Sequence, residues 1–350
     1  MPIFTAEQLK NVGVAMFEAV GTPIDEAKQT VEMLVNSNLC GHDSHGVMRI
    51  PDYIEDILKG FCKPGSKIKI VRESATTALV DGGWGLGQVV AVKTMNLAIE
   101  KAKKHDVSAI ATFNCCHIGR MADYASIAIH HDMIGVCTVI GNAIMVPYGG
   151  AERMLSASPL GIAVPAGKER PLVLDISMSV SAGGKVMHAL AKGEKMPEGY
   201  IVDRDGRPTT DPEDYVKGGA VLPFGGPVAY KGYGLAMVID ALAGILSGRG
   251  SAFNEANRGQ GVFQMAIKID SFKPIDEFKA EMDNLIRVVK SSRKAPGFNE
   301  ILIPGETELR KEKENLEVGI RIPETTWNKI IEVAEKVNVD AEGLLRQPPI

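Results

Sequence analysis

The sequence predicts an α/β or α+β fold, because segments with helical and strand-like patterns alternate along the chain. Apolar residues at helical spacing open the chain, and a β-α-β pattern occupies its middle. A chain of 350 residues is long enough for roughly two domains. Its composition, with 45% apolar and 23% charged residues, is that of an ordinary globular protein and excludes a disordered or fibrous chain.

The first part of the chain is predicted to be mainly helical. Thr5 and Gln8 form a capping-box pattern that begins a helix extending to about Val20. A second helix is expected from Pro23, at its first helical position, to near Gly41. The elements expected next are a helix ending at Gly60, strands at 68–71 and 76–80, a glycine-rich turn at 81–87 and a helix at 89–104.

The middle of the chain is predicted to supply a sheet. Residues 108–113 and 135–140 are strand-like and flank a helical segment at 119–130. This β-α-β pattern favours a sheet with parallel neighbours. The elements expected after it are a buried strand at 172–175, a polar, turn-rich segment at 200–217, an apolar helix at about 232–246, a strand at 262–269, and helices at 274–290 and 324–337.

Charge and targeting signals favour a cytoplasmic protein with a small-molecule partner. The formal charge of -4, without long runs of one sign, lacks the basic footprint of a nucleic-acid binder. The N-terminus has no secretory pattern, and the apolar segment 234–248 is too short to span a membrane and contains Asp240. Five cysteines without a CxxC pair indicate reduced thiols. We therefore expect no nucleic-acid, membrane or metal partner.

The glycine-rich segments match neither common nucleotide-binding fingerprint. The segment 82–87, GGWGLG, lies between a predicted strand and a predicted helix but does not satisfy G-x-G-x-x-G. Gly183, Gly184 and Lys185 are followed by Val186, so the phosphate-binding P-loop pattern is also absent. A standard Rossmann domain is therefore disfavoured, and tight turns are the expected role of these glycines.

The densest polar cluster lies at residues 41–53. If a helix continues from His45, then His45, Arg49 and Tyr53 lie on one face. Arginine can bind a carboxylate with two hydrogen bonds, and histidine can exchange a proton at neutral pH, a combination that suits a hydroxy or keto acid. A solvated helix face is the alternative, and Pro51 opposes a continuous helix unless it lies in a first turn. His42 and His45 lack the companion ligands of a metal site.

Other candidates lie where predicted strands or loops meet predicted helices. His117, in the segment NCCHIGR, is a second acid/base candidate or a buried structural histidine. Lys185 and Lys231 each follow a flexible loop, where they favour phosphate unless they are ordinary surface lysines. Asp175, at the end of a predicted strand, can accept hydrogen bonds from a ribose or cap a helix.

Seven ordered segments, extending from about residue 5 to 320, resemble the malate/L-lactate dehydrogenase family. They are SHGVMRIPDYIEDILKG, HIGR, VPYGGAERMLSASPLGIAVP, LDISMSVSAGGKV, MPEGYIVDRDGRPTTDP, KGYGLAMVIDALAGILSG and APGFNEILIPGE. The resemblance implies an oxidoreductase of 2-hydroxy or 2-keto acids that uses NAD or NADP and is usually a homodimer. It also implies a non-Rossmann fold with a mixed central sheet and a helical domain formed by the chain termini.

The resemblance also implies roles for individual residues. Ser44 and His45 lie at the reacting centre, Arg49 holds the substrate carboxylate, and Tyr53 is nearby. His117 is the proton-exchanging group or its hydrogen-bonded partner, so the two histidines are assigned jointly. Cofactor contacts are expected at Gly141, Asn142, Asp175, Ile176, Ser177, Lys185 and Lys231.

Arg120 departs from several relatives, which have alanine after the HIG motif, and is expected to favour a second anionic group on the substrate. The expected domains are a helical, substrate-binding and dimerisation domain at 1–105 with 291–350, and a cofactor-binding sheet domain at 106–290. Two alternatives stay open: a reductase of cyclic imino acids on the same scaffold, and a non-catalytic ligand-binding homologue. The sequence does not discriminate between NAD and NADP.

Overall fold

The computed structural model describes residues 1–254 and 258–346, which form a mixed α/β fold. The strands are β1 (Ile3–Phe4), β2 (Lys69–Glu73), β3 (Thr77–Gly85), β4 (Val107–Cys115), β5 (Met133–Ile140), β6 (Leu160–Val164), β7 (Leu172–Ile176), β8 (Ile201–Val202), β9 (Pro208–Thr209), β10 (Ala220–Val221), β11 (Gln260–Lys268) and β12 (Ile320–Arg321). The α-helices are α1 (Ala6–Ala19), α2 (Ile24–Leu39), α3 (Ile50–Leu58), α4 (Gly87–His105), α5 (Met121–Ala125), α6 (Gly183–Lys192), α7 (Pro212–Val216), α8 (Tyr230–Ile239), α9 (Ile275–Ser291), α10 (Glu306–Val318), α11 (Glu324–Lys336) and α12 (Ala341–Leu344).

The central sheet is mixed, as the resemblance implies. Across the described residues its strand order is β2-β3-β4-β11-β5-β6-β7. β3 and β4 are parallel, whereas the other neighbouring pairs of this described sheet are antiparallel. The prediction that β4 and β5 are parallel neighbours is therefore wrong. The two strands run in the same direction, but β11 lies between them and pairs with both.

The strand register brings several chain segments to one edge of this sheet. Gln260, at the start of β11, lies opposite Cys115, and the next residue of β11 lies opposite Ile140. At the same edge, Leu160 begins β6 opposite Ile176, the last residue of β7. The segments that follow β4, β5 and β7 therefore leave the sheet together. We call this edge the carboxyl edge.

The helices near the two chain termini share an apolar core. Phe17, Val31, Ile54 and Ile330, from α1, α2, α3 and α11, are almost completely buried in it. The capping box at the start of α1 is confirmed: Gln8 N donates to Thr5 Oγ1 at 3.1 Å, and Thr5 N donates to Gln8 Oε1 at 2.9 Å. Pro23 is the N-cap of α2 and not its first helical residue, which is Ile24.

The continuous helix that would place His45, Arg49 and Tyr53 on one face does not form. Residues 43–45 and 47–49 form separate 3₁₀ turns, and the backbone is extended at Gly46 before α3 begins at Ile50. Asn38 causes the break, because its Oδ1 accepts a hydrogen bond from Val47 N at 2.7 Å, and a Cβ on Gly46 would lie only 2.1 Å from that oxygen. Pro51 lies in the first turn of α3, where proline is tolerated.

Three further elements differ from the prediction. The glycine-rich segment 81–87 is not a turn, because β3 extends to Gly85, which pairs with Cys115 after an irregular stretch. The helical segment expected at 119–130 consists of α5 and a 3₁₀ segment at 126–131. The apolar helix expected at 232–246 begins earlier, at Tyr230, and continues as a π-helix at 240–245.

The two proposed domains are not tested by these observations and stay a prediction. β2 and β3 come from the segment 1–105, yet they belong to the same sheet as strands of the segment 106–290, because β3 pairs with β4. No helix within the described residues is long and apolar enough to cross a membrane.

Candidate active site

The loop that carries His117 leaves the carboxyl edge after β4 and is held by backbone contacts. Ile118 N donates to Gln260 Oε1 at 2.8 Å, and Tyr124 donates its hydroxyl proton to Ile118 O. α4 begins directly against this loop, since a Cβ on Gly87 would lie 2.2 Å from His117 O. The position of His117 is therefore set by β4, β11 and the start of α4 together.

The structure brings the two predicted histidines together. The rings of His45 and His117 stack with centroids 5.6 Å apart and planes at 16°. His45 Nδ1 lies 3.0 Å from Ser44 Oγ, and His117 Nδ1 lies 2.6 Å from the hydroxyl of Tyr53. Within the described chain, neither Nε2 atom has a hydrogen-bond partner. Both Nε2 atoms are therefore available to a ligand.

Two glutamines that no sequence motif singled out support this pair. Gln88 Nε2, in the first turn of α4, donates to the hydroxyl oxygen of Tyr53 at 3.0 Å. Gln260 holds the His117 loop and also approaches the segment after β5, because a Cβ on Gly141 would lie 3.5 Å from Gln260 Nε2. The available sequence signal was their position: Gln88 directly follows the glycine-rich segment, and Gln260 lies two residues before a predicted strand.

Arg49 lies beside the histidine pair, with part of its guanidinium already bonded. Its Nε donates to Ser44 O at 2.7 Å, and Nη1 lies 3.3 Å from Asp52 Oδ2. Nη2 faces the start of α6, where a Cβ on Gly184 would lie 3.9 Å from it. The guanidinium and the N-terminus of α6 therefore place positive potential on the same space, which favours an anion.

Burial and neighbouring charge keep both histidines neutral. Burial lowers the pKa of His45 to about 4, and the positive charge of Arg49 contributes next. Burial also lowers the pKa of His117 well below its usual value, with His45 and Arg49 adding to the effect. Burial raises the pKa of Tyr53, so its hydroxyl keeps its proton. At neutral pH both imidazoles can therefore accept a proton.

Arg120 forms a buried ion pair close to this site. Its Nη2 lies 2.5 Å from Asp123 Oδ1, and the two side chains are only 9% and 8% exposed. Asn36 also donates to Asp123 Oδ1, at 3.2 Å. Arg120 lowers the pKa of His45, although less than burial and Arg49 do. The shortest polar contact of Arg120 is thus with Asp123, and a role of Arg120 in substrate binding stays a prediction.

Four of the predicted cofactor residues lie at or near the carboxyl edge, and two of them form hydrogen bonds with other residues of the protein. Asp175 Oδ2 accepts from Ala122 N at 2.8 Å, and burial raises the pKa of this carboxyl group to about 6. Ser177 donates its hydroxyl proton to Ala157 O at 3.1 Å. The others at this edge are Gly141 and Ile176.

Lys185 and Lys231 are exposed in the first turns of α6 and α8. The segment after Asn142 approaches both helix starts: a Cβ on Gly183 would lie 3.9 Å from Ile144 Cδ1, and the rings of Tyr148 and Tyr230 are 6.0 Å apart. Exposed ammonium groups at helix N-termini suit phosphates, while carboxylate and hydroxyl groups suit ribose. This donor and acceptor set fits a dinucleotide. No group of three or more His, Cys, Asp or Glu in the described chain could hold a metal ion.

The matching family and relatives show that the chain is a 2-hydroxy acid dehydrogenase. A sequence model described as malate/L-lactate dehydrogenase matches residues 4–331, and the chain belongs to that family. The resemblance found in the sequence is thereby confirmed. Membership of a dehydrogenase family implies a nicotinamide cofactor.

Curated relatives and a solved structure agree with this assignment. The chain is 39% identical to the L-sulfolactate dehydrogenase of Methanocaldococcus jannaschii, over 98% of this chain and 99% of that protein. It is 38% identical to the malate dehydrogenase of Pyrococcus abyssi, over 95% and 94%. The solved structure of the Methanocaldococcus jannaschii sulfolactate dehydrogenase superposes with a TM-score of 0.88 and covers 98% of this chain and 99% of that one.

Proposed function

We propose that the protein transfers a hydride between NAD or NADP and a 2-hydroxy or 2-keto acid, with His45 and His117 as the proton-exchanging pair. The observation that carries the proposal is the stacked histidine pair, with both Nε2 atoms available, beside the guanidinium of Arg49. A hydroxy acid needs these two functions, because its carboxylate must be held while its hydroxyl proton is removed.

When bound, the nicotinamide supplies or accepts the hydride. During oxidation, a neutral histidine removes the hydroxyl proton of the acid while Arg49 holds the carboxylate. During reduction, the protonated histidine returns that proton to the keto oxygen. An acid anion bound at Arg49 offsets the positive charge that helps lower the pKa of His45, so substrate binding favours protonation.

The substrate we propose is malate-like, lactate-like or sulfolactate-like. Relatives named sulfolactate and malate dehydrogenases support an acid with a second anionic group. Such a group suits the positive potential at the start of α6, near Gly184, or a position near Arg120. Ser44 and Tyr53 would support the reacting centre through their bonds to the two histidines.

We propose cofactor contacts at the carboxyl edge and at the starts of α6 and α8. The exposed Lys185 and Lys231 would meet phosphate groups, and the carboxylate of Asp175 would meet a ribose through the oxygen not bonded to Ala122. The remaining proposed contacts are Gly141, Asn142, Ile176 and Ser177.

We also propose that the protein acts as a cytoplasmic homodimer. Three apolar side chains on α8, on the π-helix that follows it and directly after that helix are more than half exposed: Val238 at 54%, Ile245 at 64% and Leu246 at 58%. An exposed apolar patch of this kind is typical of a surface that a second protein covers. We define these three residues as the α8 patch.

The first test measures oxidation of NADH and of NADPH, separately, with oxaloacetate, pyruvate, phenylpyruvate and sulfopyruvate. We expect one cofactor to be consumed with at least one acid, and turnover to fall by about 10² or more in His117→Gln. Turnover of a cyclic imine in place of every acid would support the imino acid reductase. Cofactor binding without turnover of any of these compounds would support the non-catalytic alternative.

A further inference from the structure

Gln88 is buried, yet half of its amide has no partner. The side chain is 1% exposed, and its Nε2 donates to the hydroxyl of Tyr53. Among the described residues, Gln88 Oε1 has no hydrogen-bond partner. Leaving a buried acceptor unpaired costs about 1–3 kcal/mol, so this unpaired oxygen needs an explanation.

The hydrogen bonds form a chain that ends on His117. Gln88 Nε2 donates to the Tyr53 hydroxyl, which lies 2.6 Å from His117 Nδ1. When Tyr53 in turn donates to Nδ1, the neutral imidazole carries its proton on Nε2. In this arrangement Nε2 can donate a hydrogen bond to a keto oxygen. It cannot accept the proton of a hydroxy acid, because its lone pair is already bonded to hydrogen.

Oxidation of a hydroxy acid requires these hydrogen bonds to run in the opposite direction. When Nε2 accepts the hydroxyl proton, Nδ1 must already carry a proton, and Nδ1–H then donates to the Tyr53 oxygen. The Tyr53 hydroxyl must in turn donate to another acceptor. His117 O is 3.5 Å away and gives a weak bond, whereas Gln88 lies at 3.0 Å. Turning the Gln88 amide by half a rotation exchanges Nε2 for the unpaired Oε1 and supplies that acceptor.

We propose that Gln88 is a positioning residue that sets, through Tyr53, which nitrogen of His117 carries the proton. The inference rests on the proposed function, because it assumes that His117 exchanges the substrate proton. The amide donates when His117 accepts at Nδ1, and it accepts when His117 carries a proton there. The second state serves both directions of the reaction, because Nδ1 carries a proton both before and after Nε2 accepts the hydroxyl proton.

The location of Gln88 is consistent with this role. Gly87, immediately before it, has no room for a side chain against His117 O, so α4 begins as close to the His117 loop as the backbone allows. The Gln88 backbone is held separately, since Gln29 Nε2 donates to Gln88 O at 3.2 Å. The side chain can therefore turn without displacing the helix.

The test compares Gln88→Met, which fills similar space without a hydrogen bond, with Gln88→Glu, which keeps an acceptor. For hydroxy acid oxidation we expect kcat to fall about tenfold in Gln88→Met with KM within about twofold, since one hydrogen bond of the chain is lost. Gln88→Glu should keep kcat within about threefold of the wild type. The matched control is Thr30→Val, which removes another buried oxygen without a partner among the described residues and should leave both parameters unchanged.

A double-mutant cycle separates this role from a packing defect. In a Tyr53→Phe background the hydrogen bonds from Gln88 to His117 are already interrupted, so Gln88→Met should cause almost no further loss of kcat. Nitrogen-15 shifts of the His117 ring, identified by their loss in His117→Gln, should show a changed ratio of the two neutral forms in Gln88→Met. This second measurement requires no substrate.

Two outcomes would overturn the inference alone. One is a Gln88→Met variant with the kcat and ring shifts of the wild type. The other is an equal loss of kcat with and without Tyr53. If His117→Gln itself kept full turnover, the proposed role of His117 would fail, and the result would be recognisable because it does not involve Gln88.

Discussion

A histidine that is buried beside an arginine loses its proton more readily than one in water. Burial, and next the charge of Arg49, place the pKa of His45 near 4, and the pKa of His117 is also well below its usual value. Because both values are lowered, the histidines of the free enzyme are neutral throughout the physiological pH range. The two directions of the proposed reaction should therefore depend on pH differently.

For keto acid reduction, we expect kcat/KM to fall about tenfold for each pH unit between pH 6.5 and 8.5, because the protonated histidine becomes that much rarer. For hydroxy acid oxidation, kcat/KM should be almost constant over the same range, since the base is already neutral. Initial rates in both directions with one cofactor measure this difference. A reduction profile that is flat up to pH 8.5 would contradict it.

At the residue scale, the sequence predicted which side chains come together better than it predicted their hydrogen-bond partners. His45, His117 and Arg49 were identified by residue type and by resemblance, and they do lie together. Gln88 and Gln260 were not identified, because a glutamine has no diagnostic spacing and acts only through partners distant in sequence.

At the scale of elements, the start of α4 depends on one glycine. A Cβ on Gly87 would lie 2.2 Å from His117 O, whereas a Cβ on Gly234, in α8, would have no atom within 4 Å among the described residues. These two helical glycines form a matched pair, because one lies in contact with backbone and the other lies in open space.

We expect Gly87→Ala to lower the free energy of unfolding by about 1–3 kcal/mol and to reduce turnover, because the His117 loop must move. Gly234→Ala should raise the free energy of unfolding by about 0.5–1 kcal/mol, since alanine is the better helix former. Urea unfolding of both variants measures the difference. Equal free energies of unfolding for the two variants would show that the contact at Gly87 is not restrictive.

The helix considered from His45 shows why some elements could not be predicted from the local sequence. The segment has helical spacing, but Asn38 of α2 takes the hydrogen bond of Val47 N and divides it. Conversely, α10 was not predicted, because it is charged and has no fully buried residue to supply an apolar period. A hydrogen-bond partner elsewhere in the chain decided the first case, and the lack of an apolar stripe decided the second.

At the scale of the whole molecule, the α8 patch is the surface we propose for the homodimer. Its three residues lie within nine positions of one another and are each more than half exposed. Phe272 is also exposed, at 74%, but lies outside the patch, after β11. It therefore provides a control for the effect of adding charge to an exposed apolar site.

By light scattering, we expect the wild type to have about twice the 37.5 kDa mass of one chain. The double variant Val238→Glu with Ile245→Glu should have the mass of one chain, because two buried carboxylates oppose association. Phe272→Glu should remain dimeric. A monomeric wild type would reject the homodimer, and a dimeric double variant would reject the α8 patch as its interface.

The order of strands in the sheet was beyond the sequence analysis. Periodicity identifies each strand and its buried face, but it carries no information about which distant strand lies alongside. β11 was predicted as a strand, while its place between β4 and β5 was not. That position depends on contacts between residues more than 100 positions apart.

The position of β11 has a consequence for how the protein forms during synthesis. Until the ribosome has delivered the chain beyond residue 268, β4 and β5 lack the strand that joins them, and the His117 loop lacks the oxygen of Gln260. Long-range pairings of this kind form slowly, and unpaired strand edges are prone to aggregate. The nascent chain therefore carries an open sheet from the completion of β5 until β11 is delivered, and chaperones can bind it in that interval, before the two histidines are in place.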